Sequence, residues 1–181
     1  LLVPVLVYVY YQEMWYVNAG GSALIYPYLL APIFIVASLT DFLDGYIARK
    51  RNLVTTFGKF IDPLADKLIV MAALLILVNP EQLDFIATIP VWIPILILSR
   101  EFIVTGIRLV AVGDGNVIAA SKLGKYKTAS TMVAIVLLLL FPYWDVFATI
   151  GIWVLYVGVL LTVISGVDYF IKNKELIVKS I

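Results

Sequence analysis

Four aspartates stand close together in a sequence that is 63% hydrophobic, and they form two pairs at helical spacing. Asp41 and Asp44 are three residues apart, and Asp62 and Asp66 are four residues apart. On a helix of about 3.6 residues per turn each pair shares one face, so two adjacent helices can direct four carboxylates into one space. Ionised groups at membrane depth cost on the order of a few kcal/mol each unless they are paired, hydrated or bound to metal. The pattern therefore predicts a site for one or two divalent cations.

The chain contains neither cysteine nor histidine, which narrows the chemistry further. Disulfides, thiolate metal sites and cysteine nucleophiles are excluded. Acid–base work near neutral pH must fall to carboxylates, lysines, tyrosines or water. A bound metal would have oxygen ligands, which favours hard ions such as Mg²⁺, Mn²⁺ or Ca²⁺.

Each of these residues also allows a simpler interpretation. Asp62 precedes Pro63, so it could cap the start of a helix. Gly45 and Ala48 could be ordinary small residues at a helix–helix contact. A proton or ion pathway, or carboxylates that are solvated at helix ends, are alternatives for the aspartates together. A polyvalent-cation site accounts for the whole set at once.

Long apolar segments must position these groups. Only 14% of the 181 residues are charged, a composition typical of membrane proteins rather than soluble domains. The net charge of +1 gives no reason to expect nucleic acid as a partner. A spanning helix needs about 20 mostly apolar residues. Six segments approach this pattern: 1–16, 22–48, 60–78, 85–112, 127–141 and 146–171.

We therefore expect one domain over residues 1–181, an all-α integral membrane protein with six transmembrane helices. The sequence opens at Leu1 within an apolar run, and we expect a few residues to precede it. Lysine and arginine occur in the connections 49–59 and 113–127 and in the tail, whereas the alternate connections contain neither and carry only acidic residues among their charged ones. By the positive-inside rule, both termini and the two basic connections face the cytoplasm. The expected aromatic belt on the other side comprises Trp15, Tyr16, Tyr143 and Trp144.

Residues 41–66 read D-x2-D-G-x2-A-R-x8-G-x3-D-x3-D, and this string resembles the signature of the CDP-alcohol phosphatidyltransferase family without a departure. The resemblance implies a multi-pass enzyme of the cell membrane with six transmembrane helices and a polar active site near the cytoplasmic side. It also implies a homodimer among membrane lipids. The implied reaction moves a phosphatidyl group from CDP-diacylglycerol to a small alcohol and releases CMP.

The resemblance further implies a role for each residue of the string. Two ions, Mg²⁺ or Mn²⁺, would be held by Asp41, Asp44, Asp62 and Asp66. Asp66 would also be the base that removes the proton of the acceptor's hydroxyl group. The CDP part of the lipid would be contacted by Gly45, Arg49 and Thr55.

The second half of the chain bears on the acceptor. Segments 99–108 and 119–128 resemble the bacterial branch of this family that uses glycerol-3-phosphate. Arg100 and Arg108 are eight residues apart and so lie within about a quarter-turn of each other on a helix. With Lys125 they could bind the acceptor's phosphate group. Arg100 could instead pair locally with Glu101 or with the aspartates. The lysines 122, 125 and 127 could simply set topology or attract anionic headgroups.

Other functions stay open at this stage. Inositol phosphate would suit the same basic cluster, whereas serine needs no phosphate site. A cation transporter could use the four aspartates as its pathway, but the first, fifth and sixth helices offer no polar relay. Family members usually open with a stretch resembling N-x-x-T-x-x-R, which this sequence lacks, so no nucleotide contact is assigned there.

Overall fold

The computed structural model describes residues 2–21, 26–50, 56–78, 87–113 and 122–174. Side chains are described in these ranges except at 26–27, 41–42, 44–46, 48–50, 56–66, 109–110, 112–113 and 122. This part of the chain is all helical, without a strand. The helices are α1 (Val3–Asn18), α2 (Tyr26–Lys50), α3 (Thr56–Val78), α4 (Trp92–Gly113), α5 (Lys122–Leu139) and α6 (Val146–Lys172).

The all-helical fold predicted from the sequence is confirmed in the described residues, and each predicted segment overlaps one helix. Several boundaries differ. Helix α4 begins at Trp92 rather than at residue 85. Pro90 disfavours a helical conformation for the residue before it, and the N–H group of that residue, Ile89, donates instead to the Leu77 carbonyl at 2.9 Å. Helix α5 begins at Lys122, five residues before the predicted start. Its first turn is polar, so an apolar pattern does not predict it.

The interpretation of Asp62 as a helix cap is wrong. Helix α3 begins at Thr56, so Asp62 and Pro63 both lie inside it. A capping residue stands immediately before the first helical turn. The aspartate position therefore belongs to the body of a helix.

The core draws buried residues from all six helices. Helices α2, α3 and α5 pack against one another, α1 packs against α2 and α3, and α6 packs against α5 and α4. The fully buried side chains of the core include Phe34, Leu74, Leu138 and Leu155. Helices α5 and α6 pack closely because α6 carries a glycine at the contact. A Cβ atom on Gly158 would lie 3.2 Å from the hydroxyl oxygens of Ser130 and Thr131.

Much of the outer surface is apolar. On α6, Trp153 and Ile171 are 70% and 71% exposed, which is unfavourable in water and suits a lipid environment. Among the described residues, α6 is the one helix whose length and apolarity by themselves suffice to cross a membrane. Two shorter apolar stretches are Tyr28–Thr40 in α2 and Lys67–Val78 in α3. The prediction of six spanning helices stays a prediction.

Aromatic residues gather where the start of α2 meets the connection between α5 and α6. The Tyr143 hydroxyl donates to the Tyr28 carbonyl at 2.7 Å, and the two rings meet edge to face. Trp144 is 64% exposed beside them and contacts the Phe147 ring. Trp15, at the end of α1, is 70% exposed. These exposed rings have the character expected of residues at a membrane–water interface.

Candidate active site

A cavity of about 540 Å³ lies between α3, α4 and α5. Helix α3 contributes Lys67, the residue that follows Asp66 in the chain. The remaining charged lining residues come from α4 and α5: Arg100, Glu101, Arg108, Lys125 and Lys127. The cavity has the size of an ordinary small-molecule site. It adjoins the part of α3 that carries the last aspartate of the sequence motif.

The charged lining is strongly unbalanced. Five cations face one carboxylate, Glu101, which leaves a formal excess of four positive charges among the described lining residues. Such an excess in a partly desolvated space is unfavourable without an anion. The cavity is therefore suited to a small, multiply charged anion such as a phosphate ester.

Glu101 and Arg100 of α4 together join this helix to α5 and α6. The Oε1 atom of Glu101 accepts a hydrogen bond from Lys127 of α5 and another, at 3.0 Å, from Nη1 of Arg100. The other terminal nitrogen of Arg100 donates to Ser165 of α6 at 3.1 Å. The Lys127 side chain is only 3% exposed. The local pair of Arg100 with Glu101 that the sequence allowed is thus present, and Arg100 lines the cavity as well.

Arg108 has different surroundings from Arg100. Its guanidinium carbon lies 5.4 Å from the centre of the Tyr169 ring on α6, within the range of a cation–π contact. The Nε atom of Arg108 is buried and has no hydrogen-bond partner in the described part of the chain. Lys125, on the first turns of α5, is exposed. Both side chains therefore keep charge available on the cavity side of the bundle.

The three residues predicted to bind the acceptor's phosphate all line this one cavity: Arg100, Arg108 and Lys125. Their binding role remains a prediction. The spacing of the two arginines explains their common location, since residues eight apart on α4 lie within about a quarter-turn of each other.

The aspartates can be placed only along the backbone. Asp41 and Asp44 belong to α2, Asp62 and Asp66 belong to α3, and these two helices pack against each other. The four side chains lie outside the described residues, as do those of Gly45 and Arg49 and the whole of Thr55. The described side chains contain no group of three or more acidic residues that could hold a metal ion. The predicted metal and nucleotide contacts stay predictions.

Four residues around the cavity were not assigned a site role from the sequence. Nothing in the sequence singles out Lys67. Lys127 is one of three lysines that could simply set topology or attract anionic headgroups, and Glu101 enters only as a local partner of Arg100. Tyr169 lies in the most apolar predicted helix and carried no signal. The charge of Glu101 within a long apolar segment was the one available indication that it must be paired.

The chain was compared with known proteins. Residues 1–164 match the model of the CDP-alcohol phosphatidyltransferase family. The chain is 54% identical over 150 residues to the CDP-diacylglycerol–glycerol-3-phosphate 3-phosphatidyltransferase of Bacillus subtilis (strain 168), covering 80% of this chain and 73% of that protein. It is 36% identical over 181 residues to the protein of the same name in Rickettsia felis, covering 97% of this chain and 90% of that protein. A cardiolipin synthase (CMP-forming) of Oryza sativa subsp. japonica is 36% identical over 192 residues, covering 98% of this chain and 55% of that protein.

Proposed function

The chain belongs to the CDP-alcohol phosphatidyltransferase family, and we propose that it transfers the phosphatidyl group of CDP-diacylglycerol to glycerol-3-phosphate. The products would be phosphatidylglycerophosphate and CMP, so the enzyme would act in phospholipid biosynthesis. The names of the bacterial relatives support this reaction. The observation that carries the choice of acceptor is the cavity beside the aspartate segment, with its excess of positive charge.

The charge of the cavity separates the possible acceptors. Glycerol-3-phosphate brings a phosphate group that carries up to two negative charges, and five cations line the space that would receive it. Serine brings one positive and one negative charge and so would add no net negative charge to a cavity lined by five cations. Inositol phosphate satisfies the charge equally well and differs in the size and hydroxyl pattern of its ring. The cavity charge thus favours a phosphorylated alcohol.

The four aspartates form a donor set that fits a hard divalent ion. They supply carboxylate oxygens at helical spacing on α2 and α3, two helices that contact each other. We assign Asp41, Asp44, Asp62 and Asp66 to two ions, Mg²⁺ or Mn²⁺. When bound, such ions neutralise charge on a pyrophosphate group and on a departing phosphate.

The reaction itself needs one proton acceptor and no covalent intermediate. The hydroxyl oxygen of the acceptor attacks the β-phosphorus of the CDP-lipid and forms the new P–O bond. The bond to the bridging oxygen breaks, and CMP departs with the electron pair. Asp66 takes the proton of the attacking hydroxyl, while Gly45, Arg49 and Thr55 contact the CDP group. Lys67, next to Asp66 on α3, lines the cavity that would hold the acceptor.

The proposed setting is the cell membrane. The exposed apolar surface and the spanning helix α6 support a multi-pass arrangement. We propose six spans, with both termini and the active site on the cytoplasmic side, because the basic residues of the connections fall on one side. A homodimer is part of the same proposal.

The test is CMP release by the purified protein, supplied with CDP-diacylglycerol and Mg²⁺. Release that requires both glycerol-3-phosphate and the metal, and that stops on chelation, would support the proposal. Release with inositol phosphate in place of glycerol-3-phosphate would keep the mechanism and overturn the acceptor. Phosphatidylglycerol belongs in the same assay, because one relative is named as a CMP-forming cardiolipin synthase.

A cation transporter is the alternative from a different class. It would show metal-dependent ion flux in proteoliposomes and no CMP release with any alcohol. The cationic cavity opposes this function, since an excess of positive charge repels the ion that the aspartates would conduct.

A further inference from the structure

We propose that Tyr169 is a positioning residue, which holds the guanidinium group of Arg108 in the acceptor cavity and so sets the affinity for the phosphorylated acceptor. The inference rests on the proposed function, because it concerns the acceptor site of that reaction. Tyr169 does not itself line the cavity. Its ring centre lies 5.4 Å from the guanidinium carbon of Arg108.

Helices α4 and α6 run in the same direction, and two contacts fix them together. Ser165 of α6 accepts a hydrogen bond from Arg100 of α4. One turn further along α6, Tyr169 contacts Arg108, which lies two turns further along α4. Ser165 is fully buried, and Tyr169 is 3% exposed. Each arginine of the predicted acceptor site therefore has a buried partner on α6.

The two partners leave the arginines in different electrostatic states. Arg100 shares the carboxylate of Glu101 with Lys127, so its charge is partly compensated. The aromatic face of Tyr169 attracts the Arg108 cation without neutralising it or accepting its N–H groups. The ring accepts no hydrogen bond from the guanidinium in its plane, so the N–H donors of Arg108 stay available to bind a phosphate group.

The buried Nε of Arg108 supports the same assignment. Like the Nε of Arg100, it has no hydrogen-bond partner in the described residues, and a buried unpaired donor on a charged group is costly. An acceptor phosphate bound at the cavity would supply the missing acceptor atom. Arg108 is thus held in place by Tyr169 while its capacity to bind an anion stays unused.

The test compares two changes at position 169. Tyr169→Leu removes the ring, whereas Tyr169→Phe keeps the ring and removes only the hydroxyl group. We expect Tyr169→Leu to raise the KM for glycerol-3-phosphate roughly tenfold, with less than a twofold change in the KM for CDP-diacylglycerol. Tyr169→Phe should restore the acceptor KM to within about twofold of wild type. Tyr156→Leu is the matched control, since Tyr156 is 40% exposed on the same helix and contacts Trp153 instead.

A double-mutant cycle separates positioning from general damage. In an Arg108→Ala background, Tyr169→Leu should produce no further increase in the acceptor KM, because the group that it positions is gone. If Tyr169→Leu does not fold, as judged by its thermal transition in detergent, Tyr169→Met replaces it as the variant that lacks the ring.

Three results would overturn the inference. The first is a folded variant without the ring that keeps the wild-type acceptor KM, and the second is a Tyr169→Phe variant as impaired as the ringless one. The third is an increase in the acceptor KM by Tyr169→Leu that is as large in the Arg108→Ala background as in the wild type. The wild-type protein distinguishes this failure from a failure of the proposed function. If it releases no CMP with glycerol-3-phosphate, the proposed reaction itself is wrong.

Discussion

Lys127 of α5 and Glu101 of α4 form a buried ion pair at the wall of the cationic cavity. Arg100 donates to the same carboxylate oxygen. The pair distinguishes three of the five cations of the cavity. Lys127 and Arg100 share the Glu101 carboxylate and tie helices together, whereas Arg108 has no anionic partner in the described part of the chain. Lys127 and Arg100 therefore support the cavity wall, and Arg108 keeps its charge available for a ligand.

Glu101→Gln should destabilise the protein by about 3 kcal/mol, because it leaves the buried Lys127 ammonium without its anion. The measurement is the thermal unfolding of the detergent-solubilised protein, which should show a clearly lower transition temperature. Asp168→Asn is the matched control. It removes an exposed i,i+4 pair with Lys172, whose side chain is 66% exposed, and such pairs contribute about 0.5 kcal/mol or less. A Glu101→Gln variant that loses no more stability than Asp168→Asn would show that the Glu101 pair is not structurally important.

Arg108→Ala should raise the KM for glycerol-3-phosphate about 10- to 100-fold, since the removed group would donate charge-assisted hydrogen bonds to the phosphate. The KM for CDP-diacylglycerol should change far less. Steady-state kinetics with each substrate varied in turn provide the measurement. An equal increase in both KM values would contradict the placement of Arg108 in the acceptor site.

The sequence could predict the parts of the fold that depend on local pattern. Each long apolar run became a helix, and the spacing of Arg100 and Arg108 correctly placed both on one cavity. Helix ends were less predictable, because a helix continues through polar residues that a hydropathy criterion excludes. The start of α5 at Lys122 and the position of Asp62 inside α3 are examples.

The partners of the site residues could not be predicted, because they are set by the packing of distant segments. Ser165 and Tyr169 lie more than 60 residues from the arginines that they contact. Neither residue type is unusual in an apolar helix. Only the parallel arrangement of α4 and α6 brings them to Arg100 and Arg108. The role of Lys127 was equally hidden, since a lysine near a helix start is ordinarily solvated.

Asp66→Asn should abolish CMP release while the protein still binds CDP-diacylglycerol. The amide cannot accept the proton of the attacking hydroxyl, although it keeps the size and one oxygen of the carboxylate. Turnover and binding of the CDP-lipid must be measured on the same preparation, the latter by equilibrium titration in detergent. Loss of lipid binding together with turnover would instead give Asp66 a role chiefly in holding metal.

Gly151→Ala should destabilise the protein by about 1–3 kcal/mol through overpacking between α5 and α6. A Cβ atom at this position would lie 2.9 Å from Cγ of Leu138 and 3.1 Å from Cβ of Leu137. Leu138 is fully buried, so it cannot move aside without disturbing the core. Gly106→Ala is the matched control, because a Cβ atom there would meet none of the described residues within 4 Å and alanine favours the helical conformation. Its thermal transition should stay at or slightly above that of wild type. A Gly151→Ala variant as stable as wild type would contradict the close packing of α5 against α6.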